Sequence, residues 1–244
     1  MPLVSFERLD VSALPFPSYA GAATRSSLSR ISCLAAPAYQ RASLVASATL
    51  SDGSVVGVSA SASFSSSLAA VATVDGTSRT LRPLSAGTTA VSATWAGTSS
   101  AAPLSVTVTD VPVEPSSLAL SSASGAGAFD LAGAIGATTG LQVGVTFSDG
   151  TVWTDVGALV NWVDVADLFD FASADPSAVA VSANGALTLL ANAPVAIAVS
   201  AAWRCSPASV GAGSVSVRPN LAPAYADIDL GAASGLQFVQ SGST

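Results

Sequence analysis

Apolar and polar residues alternate strictly through Leu104-Ser105-Val106-Thr107-Val108-Thr109, and again through Val215-Ser216-Val217-Arg218. A period of two marks a half-buried β-strand. Leu141, Val143, Val145 and Phe147 share one face of another such segment, and Leu44, Ala46, Ala48 and Leu50 share the face of an earlier one. Thr89, Val91, Ala93 and Trp95 alternate with Ala90, Ser92 and Thr94. Short alternating runs between frequent Gly and Pro turn signals predict an all-β protein. The abundance of Ala does not overturn this, because Ala sits among Ser, Thr, Val and Gly and long Glu/Lys/Leu stretches are lacking.

Two of these strands end in the same tripeptide, Ser51-Asp52-Gly53 and Ser148-Asp149-Gly150, 97 residues apart. Asp-Gly favours a tight turn, since Gly accepts a positive φ and Asp tolerates one. Asp52, Gly53, Asp149 and Gly150 are therefore read as turn residues, ahead of a metal-ligand reading for the two acids. Val91-Ser92-Ala93-Thr94-Trp95 matches Val199-Ser200-Ala201-Ala202-Trp203 at an offset of 108, and Ala70-Val71-Ala72 matches Ala178-Val179-Ala180 at the same offset. The chain thus repeats. Two homologous modules are expected at 28–110 and 115–218, the second carrying an insertion near 152–175. Residues 111–117, with Pro112 and Pro115, form a short stiff linker. Residues 1–27 are expected to be an N-terminal extension or the end of a preceding module, and 219–244 a linker and the start of a further β module.

Module one reads strand, Ser51-Asp52-Gly53, Phe64 followed by Ser65-Ser66-Ser67, Val71-Ala72-Thr73-Val74-Asp75-Gly76, Ala86-Gly87-Thr88, then Val91 to Trp95 and a closing alternating strand. This constellation resembles the bacterial immunoglobulin-like domain of group 2 (BIG2), found in intimins, invasins and many bacterial and algal surface proteins. Phe64 stands where that family usually has Trp. Module two keeps Trp162, Asp175-Pro176-Ser177-Ala178-Val179-Ala180-Val181 and Asn184-Gly185, but has Asn192-Ala193-Pro194 at the Ala-Gly-Thr turn. The resemblance implies two tandem immunoglobulin-like β-sandwich modules. The segment Asp227 to Phe238 resembles the opening strand of another sandwich, of cohesin-like type.

Within those sandwiches Trp95 and Trp203 are expected to cap the two cores, and truncating either to Ala to cost about 3–5 kcal/mol. Phe64 and Trp162 are expected at equivalent central positions. Many inward positions are only Ala, so both cores are expected to be thin.

Composition then narrows the chemistry. The 244 residues contain no His and no Lys, and the eight basic residues are all Arg. A Ser-His-Asp triad, an imidazole ligand, a Schiff-base lysine and a P-loop lysine are all excluded. Two Cys do not make a four-Cys zinc site. A net charge of −7 argues against nucleic acid as a partner. The mean hydropathy of +0.59 is inflated by Ala, and no apolar run reaches the roughly 18 residues of a spanning helix, so no membrane-embedded segment is expected. No cofactor and no enzymatic activity are expected.

Two features stay open. Cys33 and Cys205 fall one per module, which leaves free thiols, a bridge across the modules, or bonds to other chains. Asp164, Asp167 and Asp170 recur every third residue beside Asp155 and Asp175, and offer a minor Ca²⁺ candidate against a solvated acidic face. The segment Val163 to Phe171 is read as one helical turn carrying these acids.

The start MPLVSFERLD lacks a basic stretch followed by an apolar one, so no signal peptide is read there. The expectation is a structural or adhesive segment of a larger extracellular, cell-surface or filament-forming protein. Its partners would be other protein chains or neighbouring modules, with homopolymers and glycans as options. A carbohydrate- or receptor-binding module around Asp155 to Asp175, or an accessory domain of a secreted enzyme, is the alternative.

Overall fold

The computed structural model describes residues 4–32, 34, 36–122, 125, 127–159, 162–205 and 212–222. The alternating segments form strands. The first half holds β1 (Phe6–Phe16), β2 (Ser27–Ile31), β3 (Arg41–Leu50), β4 (Val55–Gly57), β5 (Ser63–Ser66), β6 (Ala72–Asp75), β7 (Thr80–Pro83), β8 (Gly87–Trp95), β9 (Thr98–Ser99) and β10 (Leu104–Val113). The second half holds β11 (Pro115–Ser122), β12 (Phe129–Gly133), β13 (Thr138–Phe147), β14 (Val152–Trp153), a 3₁₀ turn (Val156–Leu159) and α1 (Val165–Leu168). It continues with β15 (Phe169–Ser173), β16 (Val179–Val181), β17 (Ala186–Leu189), β18 (Ile197–Trp203) and β19 (Gly213–Leu221).

Each half folds into two sheets of one topology. In the first, β1-β3-β7-β6 form one sheet with β4 beside β3, and β2-β10-β8-β5 form the other with β9 beside β8. In the second, β11-β13-β17-β16 carry β14 beside β13, and β12-β19-β18-β15 complete the pair. Neighbours run antiparallel except β2 with β10 and β12 with β19, which are parallel. An A-B-E-D sheet facing a C-F-G sheet is the immunoglobulin-like arrangement. The chain is therefore two tandem immunoglobulin-like β-sandwich modules, with Glu114 alone separating the last strand of one from the first strand of the next.

The observed strands revise the expected edges of the modules. Residues 1–27 are not wholly an extension, because β1 pairs with β3 from Phe6↔Leu50 to Phe16↔Arg41 in the sheet of the first module. The linker expected at 111–117 is mostly strand, and Pro219 to Leu221 belong to β19. Residues 223–244, with the cohesin-like segment, lie outside the described residues.

The repeated tripeptide has a structural reason. The Asp52 carboxylate accepts from Ser54 N at 2.9 Å, and Gly53 takes a positive φ of 81°. Asp149 accepts from Thr151 N at 2.9 Å, and Gly150 has a φ of 78°. The serine of each motif closes a further clasp. Ser51 N donates to the Ser5 carbonyl and Ser148 N to that of Glu114, both at 2.8 Å. Each turn thereby fixes where the first strand of its own module begins.

The cores differ in kind. In the first module Ala13, Ala42, Ala46, Ala48, Ala72 and Ala93 are buried, with Leu9, Leu28, Leu44, Leu81 and Val91 among the larger side chains packed around them. A thin core holds there. The second module departs from that expectation: Phe147, Trp153, Phe169 and Trp203 are buried and stack edge to face, with centroids 4.6 Å apart for Phe147–Trp153 and 5.2 Å for Phe169–Trp203. The two tryptophans at the repeat position are also unequal. Trp203 is 1% exposed. Trp95 is half-buried, lies 5.9 Å from Phe6 and donates its Nε1–H to Ser61 Oγ.

Phe64 and Trp162 are not equivalent. Phe64 pairs with Ala93 across β5 and β8, whereas Phe171 pairs with Ala201, the repeat counterpart of Ala93, across β15 and β18. Trp162 lies ahead of α1, outside any strand.

Candidate functional site

The two turns built from one tripeptide have different surroundings. Asp52 is exposed and bonded within its own turn. Asp149 meets the first module. Arg25 Nη1 donates to Asp149 Oδ2 at 2.6 Å and Arg25 Nη2 to the Asp149 carbonyl at 3.0 Å. Gln40 Nε2 donates to Asp149 Oδ2 at 3.1 Å and to Thr151 Oγ1 at 3.0 Å. The Tyr19 hydroxyl donates to the Gly150 carbonyl at 3.3 Å. Gln40 and Thr151 are each 2% exposed, so the bond between them is shielded from water and keeps more of its strength, whereas the Arg25 and Tyr19 contacts are exposed.

Burial acts on the Asp149 carboxyl most strongly and favours its neutral form. Donors from Thr151 and Gln40 and the charge of Arg25 outweigh it, and the group sits below the usual carboxylate range. Gln40 is itself fixed, since Ser29 N donates to its Oε1 at 3.1 Å.

Apolar contacts continue the joint. Ile31 and Val113, from strands of the first module, belong to the buried core of the second, and Phe16 and Leu34 pack on it. Phe16 lies 6.0 Å from Trp162, whose other neighbour is Trp153 at 5.3 Å. The Arg41 guanidinium stands 4.6 Å over the Trp162 ring, a cation–π contact.

Beside the joint lies a cleft of about 660 Å³, walled by both modules. Leu34, Ala36, Pro37, Ala38, Tyr39, Arg41, Arg82, Pro83 and Leu84 come from the first; Trp162, Val163, Asp164, Asp167 and Arg204 from the second. Burial, and then the charge of Arg82, lower the pKa of Arg41 to about 10, with Asp75 pulling the other way. Tyr39 donates to Asp110 Oδ1 at 2.6 Å; that bond, reinforced by burial, raises its phenol.

The insertion builds the second wall. Asp164 caps α1 by accepting from Ala166 N at 2.9 Å, and the extended Phe169 ends the turn. Asp164 and Asp167 are exposed along the cleft. Asp170 is in β15, not in the helical turn, and is held by Arg204 Nη2 at 2.9 Å. Of the three candidate calcium ligands, Asp170 is thus set apart from Asp164 and Asp167, and among the described residues no three His, Cys, Asp or Glu are grouped to share an ion.

Cys205 follows β18 and is disulfide-bonded. Cys33 lies outside the described residues.

Sequence reasoning singled out Asp149, Gly150 and Trp162 for their turns and cores, and missed Arg25, Gln40, Arg41 and Arg82. The all-arginine basic set pointed toward the three arginines, and no sequence signal marked Gln40.

No protein-family model matches the chain, and no curated protein is significantly similar to it. Among solved structures it is similar to surface layer protein SbsC, domains 1–6, with a TM-score of 0.30, 12% identity, and coverage of 89% of this chain and 28% of that one. It is also similar to the C-terminal 282-residue fragment of intimin in complex with the intimin-binding domain of its translocated receptor. That match has a TM-score of 0.24, 13% identity, and coverage of 89% and 65%. Protocadherin gamma B2 extracellular cadherin domains 3–6 give a TM-score of 0.30 at 11% identity, covering 88% and 52%. The chain spans less than a third of the length of the SbsC structure it matches. Similarity at these levels assigns neither family nor activity.

Proposed function

We propose that this chain is a structural and adhesive segment of a larger extracellular cell-surface or filament-forming protein, built of BIG2-type modules and serving as spacer and protein–protein assembly unit. The observation that carries this reading is the joint. Arg25, Gln40 and Tyr19 grip the Asp149–Thr151 turn, and Ile31 and Val113 of one module are buried in the core of the next. Modules joined by a loose linker would reorient freely, whereas a joint with polar and apolar parts holds spacing and angle.

The first module leaves its matching surface open. The whole of β4 is exposed, Val55 at 65%, next to the exposed Asp52 turn. Exposed apolar strand edges invite another chain to pair. A further sandwich, from this protein or another copy, is the partner that fits.

A Cys33–Cys205 bridge across the modules belongs to the same reading. Leu34 and Arg204, the chain neighbours of the two cysteines, line one cleft.

Small-angle scattering tests the joint. One fixed relation between the modules should account for the whole curve. A curve that needs independently moving modules overturns the spacer reading. Light scattering with Val55→Glu tests assembly: concentration-dependent association should fall, and equal association by both proteins sinks the assembly role.

A further inference from the structure

The first-module wall of the cleft carries positive charge that no ion pair neutralises. Arg41 and Arg82 both line it, and among the described residues neither has a carboxylate within ion-pair distance; Asp75 acts on both only from farther away. The two guanidinium groups repel one another, and Arg41 is partly desolvated. In a chain of net charge −7 such an island calls for an anion. The Arg41 guanidinium carbon stands 4.6 Å over the Trp162 ring. A guanidinium held by an aromatic ring and without an ion pair still has N–H groups to offer, and these match a carboxylate in bidentate geometry.

The opposite wall demands something else. Asp164 and Asp167 are exposed there and accept hydrogen bonds only. A ligand that satisfies both walls carries a carboxylate at one end and hydroxyl donors at the other. Leu84, 57% exposed, with Pro37 and Leu34, supplies an apolar strip for a C–H face between them. The volume of about 660 Å³ is within the roughly 300–1,000 Å³ of small-ligand sites.

We propose that this inter-module cleft binds an acidic saccharide of the uronic-acid type, its carboxylate on Arg41 and Arg82 and its ring hydroxyls on Asp164 and Asp167. An acidic peptide satisfies the arginines but has neither the ring hydroxyls for the two aspartates nor the flat C–H face for the apolar strip.

Calorimetric titration of the whole chain with trigalacturonate, its neutral methyl ester, a Glu-rich peptide and inorganic sulfate tests this. Trigalacturonate should bind, the ester at least tenfold more weakly, and binding should weaken with salt. Arg82→Gln should lose at least tenfold in affinity with unchanged thermal unfolding, because the Arg82 side chain is exposed and makes no ion pair among the described residues. Arg41→Gln should lose as much. No heat at millimolar trigalacturonate overturns the proposal, as does an ester that binds equally or an Arg82→Gln that binds as the parent does. Sulfate or peptide binding as tightly as trigalacturonate reduces the site to anion capture and overturns the saccharide assignment.

Discussion

Arg25 and Asp149 are 124 positions apart in sequence and 2.6 Å apart in space, one in each module. The same carboxylate accepts from Gln40 of the first module and from Thr151 of its own turn. One side chain therefore closes a turn and fastens two domains. Asp149→Ala should cost about 1–2 kcal/mol, discounted for partial solvent screening. Asp52→Ala removes a turn bond alone and should cost less. Denaturant unfolding ranks the two, and scattering should show looser modules only for Asp149→Ala.

The same carboxylate sets a pH dependence. Its folded pKa is depressed below the ordinary value of about 3.9. The unfolded chain binds the proton more tightly, so the stabilisation is fully present above about pH 4 and is lost as pH falls through the folded pKa. The stability gap between the parent and Asp149→Asn should hold from neutral pH down to about pH 4 and close below it. A gap that stays constant to pH 2 contradicts the assignment.

Trp203→Ala should cost about 3–5 kcal/mol, because the ring is buried against Phe147 and Phe169. Trp95→Ala should cost less, since that ring is half-buried at the end of β8. Separate thermal transitions of the two modules, or one shifted transition if they melt together, report the ranking.

Gly87 has a φ of 148°, and a Cβ there would stand 2.8 Å from Val71 Cγ2. Gly87→Ala should destabilise by about 1–3 kcal/mol through strain and overpacking. Thermal unfolding checks it. The second module has Val195 at the repeat position, and its strand starts two residues later, at Ile197.

Reduction of the intact chain should lower stability by about 2–4 kcal/mol if Cys33 and Cys205 close a loop across the joint. Unreduced peptide mapping should recover one peptide pair carrying both residues. Recovery of either cysteine bonded to another chain overturns that pairing.

Much of the fold was legible because strand alternation is a local property. Leu141, Val143, Val145 and Phe147 face inward as their spacing predicts. The Ser-Asp-Gly turns were legible for the same reason. The joint was not, because Arg25 and Gln40 gain meaning only when Asp149 is brought to them by the packing of a different domain. Phe171 was passed over for Trp162 because residue type suggested an equivalence that pairing to Ala93 and Ala201 corrects. The acids at 164, 167 and 170 shared a spacing of three, but the helix ends at Leu168 and places Asp170 on a strand.

The parallel pairing of β2 with β10 has a mechanical consequence. Tension on the two ends of the module reaches β1 first; once its pairing with β3 gives way, β2 is drawn toward its N-terminus and β10 toward its C-terminus. For parallel neighbours these are opposite directions along one ladder, so the hydrogen bonds from Ser27 to Ile31 are sheared together instead of being peeled one by one. β12 and β19 repeat the arrangement. A chain under load would thus meet two such latches in series, each resisting most strongly along the axis on which the modules are strung.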